Sequence, residues 1–399
     1  MKIERLKLKK FRNYDKLDIK FNDKLNIIIG NNAQGKTNIL EAIYFLSITK
    51  SFLSINDKNC MKKDEVFTKI EGNIRTNKGK NKLSLILNEN GKKLEINDNE
   101  IKKHSDYIGN LKVIIFNPDN IRLIKDAPGN RRRFLNIEIS QLYGKYINLL
   151  NEFNVVLKQR NEYLKIIKNN NYNEIYFSIL NEKFVELSYE IYKYRISFID
   201  NLNKYIGQIF KEISGVDGLY IKYIPSVDIL DMDNFKTIML NKLKDNYDRE
   251  LIYGNSLYGP HRDDFSFKIN ENDLLLYGSQ GQLKMAILAL KLSEIDVFNE
   301  VSQEYPILLL DDLFSELDVS KRNNVISYLN RDIQTILTTT DLENINSELI
   351  VDSYVYKIDD GKIIQSNYDN REVRDKNEWK NEWTLWCFGY SGIRRIGSC

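Results

Sequence analysis

Leu25-Asn26-Ile27-Ile28-Ile29-Gly30-Asn31-Asn32-Ala33-Gln34-Gly35-Lys36-Thr37 is the stretch that decides the fold. An apolar run enters a segment that fits G-x-x-x-x-G-K-[ST]. Behind it Ile39, Leu40, Ile43, Tyr44, Phe45 and Leu46 recur at helical spacing. A strand, a glycine-rich turn and a helix in that order make a phosphate-binding loop. Gly30 and Gly35 permit backbone angles that a side chain forbids. The N–H groups of the intervening Asn31, Asn32, Ala33 and Gln34 can then converge on a phosphate at a helix N-terminus. Lys36 is placed to reach the β and γ oxygens, and the Thr37 hydroxyl to ligate Mg²⁺. ATP and Mg²⁺ are the expected ligands.

A second segment completes this site from far along the chain. Ile307-Leu308-Leu309-Leu310 runs into Asp311-Asp312, followed by Ser315-Glu316-Leu317-Asp318. A carboxylate at the end of a buried strand suits the magnesium ligand, so Asp311 takes that role. Two adjacent carboxylates are costly unless a cation or water uses them, which makes Asp312 the candidate for polarising the attacking water. Most of the chain lies between the two segments, so the nucleotide fold must be split by a long insertion.

A third signal falls between these two segments. Tyr277-Gly278-Ser279-Gln280-Gly281-Gln282 precedes the helical run Leu283–Leu292 and forms another anion-binding turn. One ATP needs one phosphate loop, so a second such turn implies a nucleotide shared between two subunits. Ser279, Gly281 and Gln282 would face the γ-phosphate held by a partner copy.

The chain between reads in blocks. Ile3, Leu6, Leu8, Leu17 and Ile19 alternate with charges, as half-buried strands do. Asn88-Glu89-Asn90-Gly91 separates Lys82–Leu87 from Lys92–Ile96, a hairpin signal. From about 130 to 213 the apolar residues recur at three and four, from Leu149 to Ile209. Long amphipathic helices broken near Asn169–Asn173 fit that pattern. These blocks give four expected regions: an N-terminal ATPase half at 1–128, an inserted helical arm at 129–250, a C-terminal ATPase half at 251–368 and a tail at 369–399. All three tryptophans and two of the three cysteines lie in that tail, which reads as foreign to the Lys/Asn-rich body and is expected to be disordered or non-native.

Composition sets bounds. At 399 residues and 42% hydrophobic the chain can bury a large core. Lys+Arg 59 against Asp+Glu 56 leaves a net charge of +3, so a nucleic-acid surface would have to be a local patch. Arg131-Arg132-Arg133, Lys9-Lys10, Arg12, Lys158 and Arg160 are the candidates for one. No apolar run approaches the ~20 residues that cross a bilayer, and Met1-Lys2-Ile3-Glu4-Arg5 is not a signal peptide. Cys60, Cys387 and Cys399 have no metal or disulfide spacing. A cytoplasmic protein without a membrane partner is expected.

Together these residues resemble the ABC-type ATPase heads of the SMC superfamily, and within it the RecF family. The match runs in order over roughly residues 1–365. It is carried by Lys10-Phe11-Arg12-Asn13-Tyr14, Gly30–Thr37, Phe116-Asn117-Pro118-Asp119 and Pro128-Gly129-Asn130-Arg131-Arg132-Arg133-Phe134-Leu135. It continues through Leu157–Asn161, Gly259-Pro260-His261-Arg262-Asp263-Asp264, Ser279–Gln282 and Leu310–Asp318. The resemblance implies an α/β, SMC-like P-loop ATPase head with an inserted helical lobe. It also implies a homodimer that closes on ATP, with Asp318 at the subunit contact and Arg12 near the nucleotide. RecF-type proteins bind single- and double-stranded DNA and act with RecR and RecO ahead of RecA. The sequence departs from the wider ABC pattern at Asp312, where glutamate is usual, and at Thr338-Thr339-Thr340, where a histidine is often found. The shorter Asp312 predicts slow hydrolysis. The nucleotide-binding subunit of a transporter, or another SMC-like ATPase, is the alternative reading.

Overall fold

The structure, a computed structural model, describes residues 1–167, 173–229, 231–313, 325, 332–342 and 353–367. Asp318 and the 369–399 tail lie outside the described residues. Two compact units share the chain. The first comprises Met1–Ile101, Val113–Pro118 and the described residues from Tyr305 on. The second comprises Lys102–Lys112 and Asp119–Glu304.

The first unit opens with β1 (Lys2–Phe11), β2 (Tyr14–Lys20), β3 (Leu25–Ile29) and α1 (Lys36–Ile48). Then follow β4 (Phe67–Thr76), β5 (Gly79–Asn88), β6 (Gly91–Ile96) and β7 (Asn99–Ile101). These strands, β3 apart, form an antiparallel sheet in the order β2-β1-β4-β5-β6-β7. Strict alternation would put Ile3 and Leu6 on opposite faces, yet both are fully buried. A register shift between Ile3 and Arg5 explains it, because the irregular residue resets which face points inward. The hairpin at 88–91 is present, with Asn88 paired to Gly91.

The chain then builds the second unit. Its elements are α2 (His104–Tyr107), then, after β8 (Val113–Phe116) of the first unit, α3 (Arg122–Lys125), α4 (Pro128–Leu142), α5 (Gly144–Ile167) and α6 (Glu174–Ser214). They continue with β9 (Leu219–Ile224), α7 (Phe235–Asp245), α8 (Tyr247–Tyr253), β10 (Asp264–Ile269), β11 (Asn272–Asp273), α9 (Leu274–Tyr277) and α10 (Gln280–Ser302). α5 ends and α6 begins on either side of the expected break. Phe184, Leu187, Ile191, Phe198, Leu202 and Ile209 of α6 are buried along one stripe. Gly215 ends this helix in the left-handed region at φ 73.

The units divide elsewhere than at the expected 128/129 and 250/251 boundaries. Residues 119–128 and 251–304 belong with the helices. The reason is long-range: β10 pairs with β9 from Asp264↔Ile224 to Ile269↔Leu219, and α10 packs along α6. Local periodicity carries no information on such pairings.

The first unit closes with β12 (Ile307–Asp311), β13 (Thr335–Thr339), β14 (Tyr354–Asp359) and β15 (Lys362–Ser366). Its second sheet runs β15-β14-β3-β13-β12-β8, and all but the edge strand β15 are parallel. β12 and β13 are buried along their whole length and β3 nearly so, as strands of a covered parallel sheet must be. Parallel strands end on one edge, where ligands of open α/β sheets bind. β3 and β12 both end there, with β13 between them.

Candidate nucleotide site

The loop 30–37 links β3 to α1, and its glycines are required by space as much as by angle. A Cβ on Gly30 would run into the Ile358 carbonyl oxygen, and one on Gly35, at φ 103, would come to 2.5 Å from the Asn13 amide. The loop is gripped from outside by two turns of the first unit. Asn13 Nδ2 donates to the Gln34 carbonyl at 3.1 Å, and Tyr14 OH donates to the Gly35 carbonyl at 3.0 Å. From the β14–β15 turn, the Asp360 N–H reaches Gln34 Oε1 at 2.6 Å and the Gly361 N–H reaches the Gln34 carbonyl at 3.2 Å. Gln34 is thus fixed from both sides. The local sequence around Asn13, Tyr14, Asp360 and Gly361 carries no signal of this role. Nothing local in those residues points 326 positions back.

Neighbouring strands stand roughly 4.8 Å apart, so Asp311 lies two strand spacings from the end of β3. The first turn of α1 bridges that distance. Thr37 Oγ1 donates to Asp311 Oδ1 at 2.8 Å, and Thr338 Oγ1, from the strand between, donates to the same oxygen at 2.7 Å. Thr338 Oγ1 also accepts the Asp312 N–H at 3.1 Å. The hydroxyl where a histidine was looked for therefore orders both carboxylate residues. Asp312 sits at φ 49, a left-handed angle uncommon outside glycine and found disproportionately at functional sites.

Lys36 Nζ donates to the Gly30 and Asn31 carbonyls, the latter at 2.9 Å. Burial holds its ammonium below the usual lysine range, against the pull of Asp312 and Asp311. Burial likewise pushes the Asp311 carboxyl up, and the Thr338 and Thr37 hydroxyls oppose that rise. A lysine and a carboxylate each strained by desolvation would be relieved by a phosphate and a cation respectively. Thr37 and Asp311 are hard oxygen donors set together, which suits Mg²⁺.

Arg12 is committed within the protein. Its Nε and Nη2 donate to both oxygens of the fully buried Glu41 at 2.7 and 2.5 Å, and its Nη1 to the Asn59 carbonyl at 2.8 Å. Glu41 lies four residues beyond Thr37 on α1, so the pair ties the β1–β2 turn to the helix behind the loop.

In the second unit Ser279 is the exposed N-cap of α10. Its Oγ accepts the Gln282 N–H at 3.2 Å, while Gln282 Oε1 accepts the Ser279 N–H at 2.8 Å. This capping box starts the helix whatever else binds there. Gly281 follows in the first turn, where a Cβ would meet Ser279 Oγ at 3.8 Å.

Two cations offered as phosphate contacts are structural instead. Arg131 is buried, with Nε and Nη2 on the Asp264 carboxylate at 2.5 and 2.9 Å. Arg160 is 1% exposed and donates to Glu250, Asn181 and Ser256 at 2.6, 2.7 and 2.6 Å. Lys10 pairs with Asp15 and Glu65. His261 is structural too: it lies against Phe153 and Phe184, with Nε2 at 3.0 Å from the Ser256 carbonyl.

Comparisons with known proteins give the family and the fold. A family model described as RecF/RecN/SMC N terminal domain matches residues 2–360. The DNA replication and repair protein RecF of Halalkalibacterium halodurans is 38% identical over 91% of this chain and 99% of its own. That of Lactobacillus johnsonii is 40% identical over 91% and 99%. The chain belongs to the RecF family. A solved structure of the recombination mediator RecF-ATPrS of the RecFOR pathway superposes with a TM-score of 0.84 at 32% identity, over 91% of this chain and 97% of that one. The Smc head of Pyrococcus furiosus matches at TM-score 0.51 and 16% identity over 95% and 99%, a likeness of fold alone. The SMC-like ABC-type head and the RecF assignment are thus both correct. Among the described residues no helix is long and apolar enough to cross a membrane.

Proposed function

We propose that this RecF-family chain is an ATP-gated DNA clamp acting in recombinational repair and replication. The observation that carries the nucleotide reading is the Thr37–Asp311 hydrogen bond, 2.8 Å across 274 positions of sequence, at the mouth of a glycine-rich loop. The relatives solved as RecF-ATP and RecF-ATPrS support ATP as the ligand. Loop N–H groups and Lys36 would hold the phosphates, with Lys36 exchanging the Gly30 and Asn31 carbonyls for phosphate oxygens. Thr37 and Asp311 would hold Mg²⁺, which when bound neutralises charge on the β and γ oxygens.

Asp312 would accept the proton of the attacking water. Its side chain is one methylene shorter than glutamate, and a misplacement of about 1 Å can lower a rate on the order of 10²-fold. Hydrolysis would then time a clamp and not drive a motor. Ser279, Gly281 and Gln282 would complete the site of a second copy, so that two chains close on two ATPs. The clamp would bind single- and double-stranded DNA at gaps in the cytoplasm and act with RecR and RecO to assist loading of RecA. Membership of the RecF family, with its RecFOR-pathway relative, supports these partners.

Light scattering with ATP, with ADP and without nucleotide tests the reading. Wild type should dimerise with ATP only, while Lys36→Arg and Ser279→Arg should stay monomeric. A Ser279→Arg chain that dimerises normally would show that the nucleotide is not shared.

A further inference from the structure

The string Gly259-Pro260-His261-Arg262-Asp263-Asp264, the first turns of α4 and Arg195 of α6 bring together the guanidiniums of Arg131, Arg132, Arg195 and Arg262 and two carboxylates. Both carboxylates are already committed. Asp264 takes Arg131 as a two-pronged partner and caps the Phe265 N–H at 2.8 Å. Asp263 is buried and accepts from Tyr192, Tyr223, the Ser226 N–H and Arg195 at 3.1, 2.5, 2.9 and 3.2 Å.

Arg132 and Arg262 are the two left over. Each is anchored by one nitrogen to a backbone carbonyl: Arg132 Nη1 to Asp263 at 2.8 Å, and Arg262 Nε to Ser256 at 3.1 Å. Arg132 is half-buried and Arg262 exposed, and neither has an ion-pair partner among the described residues. Asp126, also nearby in sequence, accepts from Asn130 on its carboxylate at 2.8 Å and from Arg131 Nη1 on its carbonyl at 2.8 Å. His261 adds no charge, since burial lowers its pKa to about 4. After burial, Arg195 most disfavours the charged form of Arg132, Asp264 and Asp263 oppose that, and Arg262 adds to it least. Among the described residues no carboxylate pairs with either fork, although both are anchored on the 256–264 segment. Planar guanidiniums match phosphate oxygens two at a time.

We propose that Arg132 and Arg262 form a phosphate site on the second unit that seats the backbone of a DNA duplex. This rests on the clamp reading for the identity of the polyanion. It also replaces Arg131 and Arg160 as the contacts suggested by the sequence.

Anisotropy of a fluorescein-labelled duplex with ATP, titrated over a salt series, reads the site. The Arg132→Gln/Arg262→Gln chain should lose about 1.8 from the slope of log K against log salt, and each single variant about 0.9. ATP-dependent dimerisation and the unfolding midpoint should stay at wild-type values. Should the double variant unfold, Arg132→Lys/Arg262→Lys is the arm to read: it should keep the slope while losing affinity, because the charge survives and the fork does not. Wild-type affinity and slope in the double Gln variant would overturn the site while leaving the clamp reading intact. So would unchanged DNA binding together with lost binding of a poly-glutamate peptide, which would assign the pair to an acidic protein segment. A wild type that binds no duplex at all would overturn both.

Discussion

Asp311 in the first unit and Glu250 in the second are both buried carboxylates, but their surroundings differ in kind. Glu250 is fully buried against the Arg160 guanidinium, with the Leu257 N–H on its other oxygen and the Phe177 and Phe184 rings over the cation. Asp311 is 9% exposed and has hydroxyls as hydrogen-bond partners, and burial pushes its carboxyl up. A buried charge with a buried counter-charge is a structural pair. One held by neutral donors at a sheet edge has room for a cation. The contrast separates groups that hold the fold from groups that the fold holds ready.

Removing each charge should separate them further. Glu250→Ala leaves a buried, unpaired guanidinium and should cost about 3–5 kcal/mol in denaturant unfolding. A loss under about 1 kcal/mol would erase the distinction. Asp311→Asn keeps an acceptor for both hydroxyls and relieves a desolvated charge, so its unfolding midpoint should match or exceed wild type. Its ATP hydrolysis should nevertheless fall about 10²-fold or more, the scale of losing a group aimed at developing charge. A midpoint that drops as far as that of Glu250→Ala would place Asp311 among the structural residues.

Thr338→Val sharpens the account of what holds Asp311. It strips a donor from the carboxylate and an acceptor from the Asp312 N–H, and should cost about 1–3 kcal/mol with slower turnover. Thr338→Ser should recover both. Unaltered turnover in the valine variant would leave Thr338 a packing residue.

His261 tests the second unit by pH, with its effect confined to the acid limb. Its pKa falls from 6.5 to about 4, chiefly through burial, so between those values the unfolded chain binds the proton and the folded chain does not. Stability from this group is complete above pH 6.5 and is lost as pH falls toward 4, at on the order of 1.4 kcal/mol per unit. His261→Gln should flatten that limb of the stability curve. An acid limb as steep as wild type would mean that the histidine is already charged in the fold.

The phosphate loop and the Asp311 strand end were legible because their chemistry depends on short contiguous strings: a five-residue run with four apolar members into glycine, and four apolar residues into aspartate. The α5–α6 break and the hairpin at 88–91 were legible for the same reason, since period and turn chemistry are local. The domain boundaries were not. β9 and β10 lie on opposite sides of α7 and α8 in the chain, and their pairing moves 251–304 into the helical unit. The basic residues were legible only in part. Arg131, Arg132 and Arg133 are consecutive, but α4 turns Arg131 inward onto Asp264 and sends Arg132 to the Asp263 carbonyl. A run of like residues on a helix is divided by the 100° between neighbours, which the run itself does not record.

By itself, then, the sequence determined that a nucleotide fold split by a helical insertion is present, and where its glycine-rich loop and aspartate strand end lie. Those are matters of local backbone geometry and side-chain type. Only the tertiary structure decided that Thr338 orders Asp311 and Asp312, that Gln34 is clamped by two distant turns, and which arginines are spent inside the fold. Each of these depends on partners brought together by strand order and helix facing, and neither is written in any short stretch of chain.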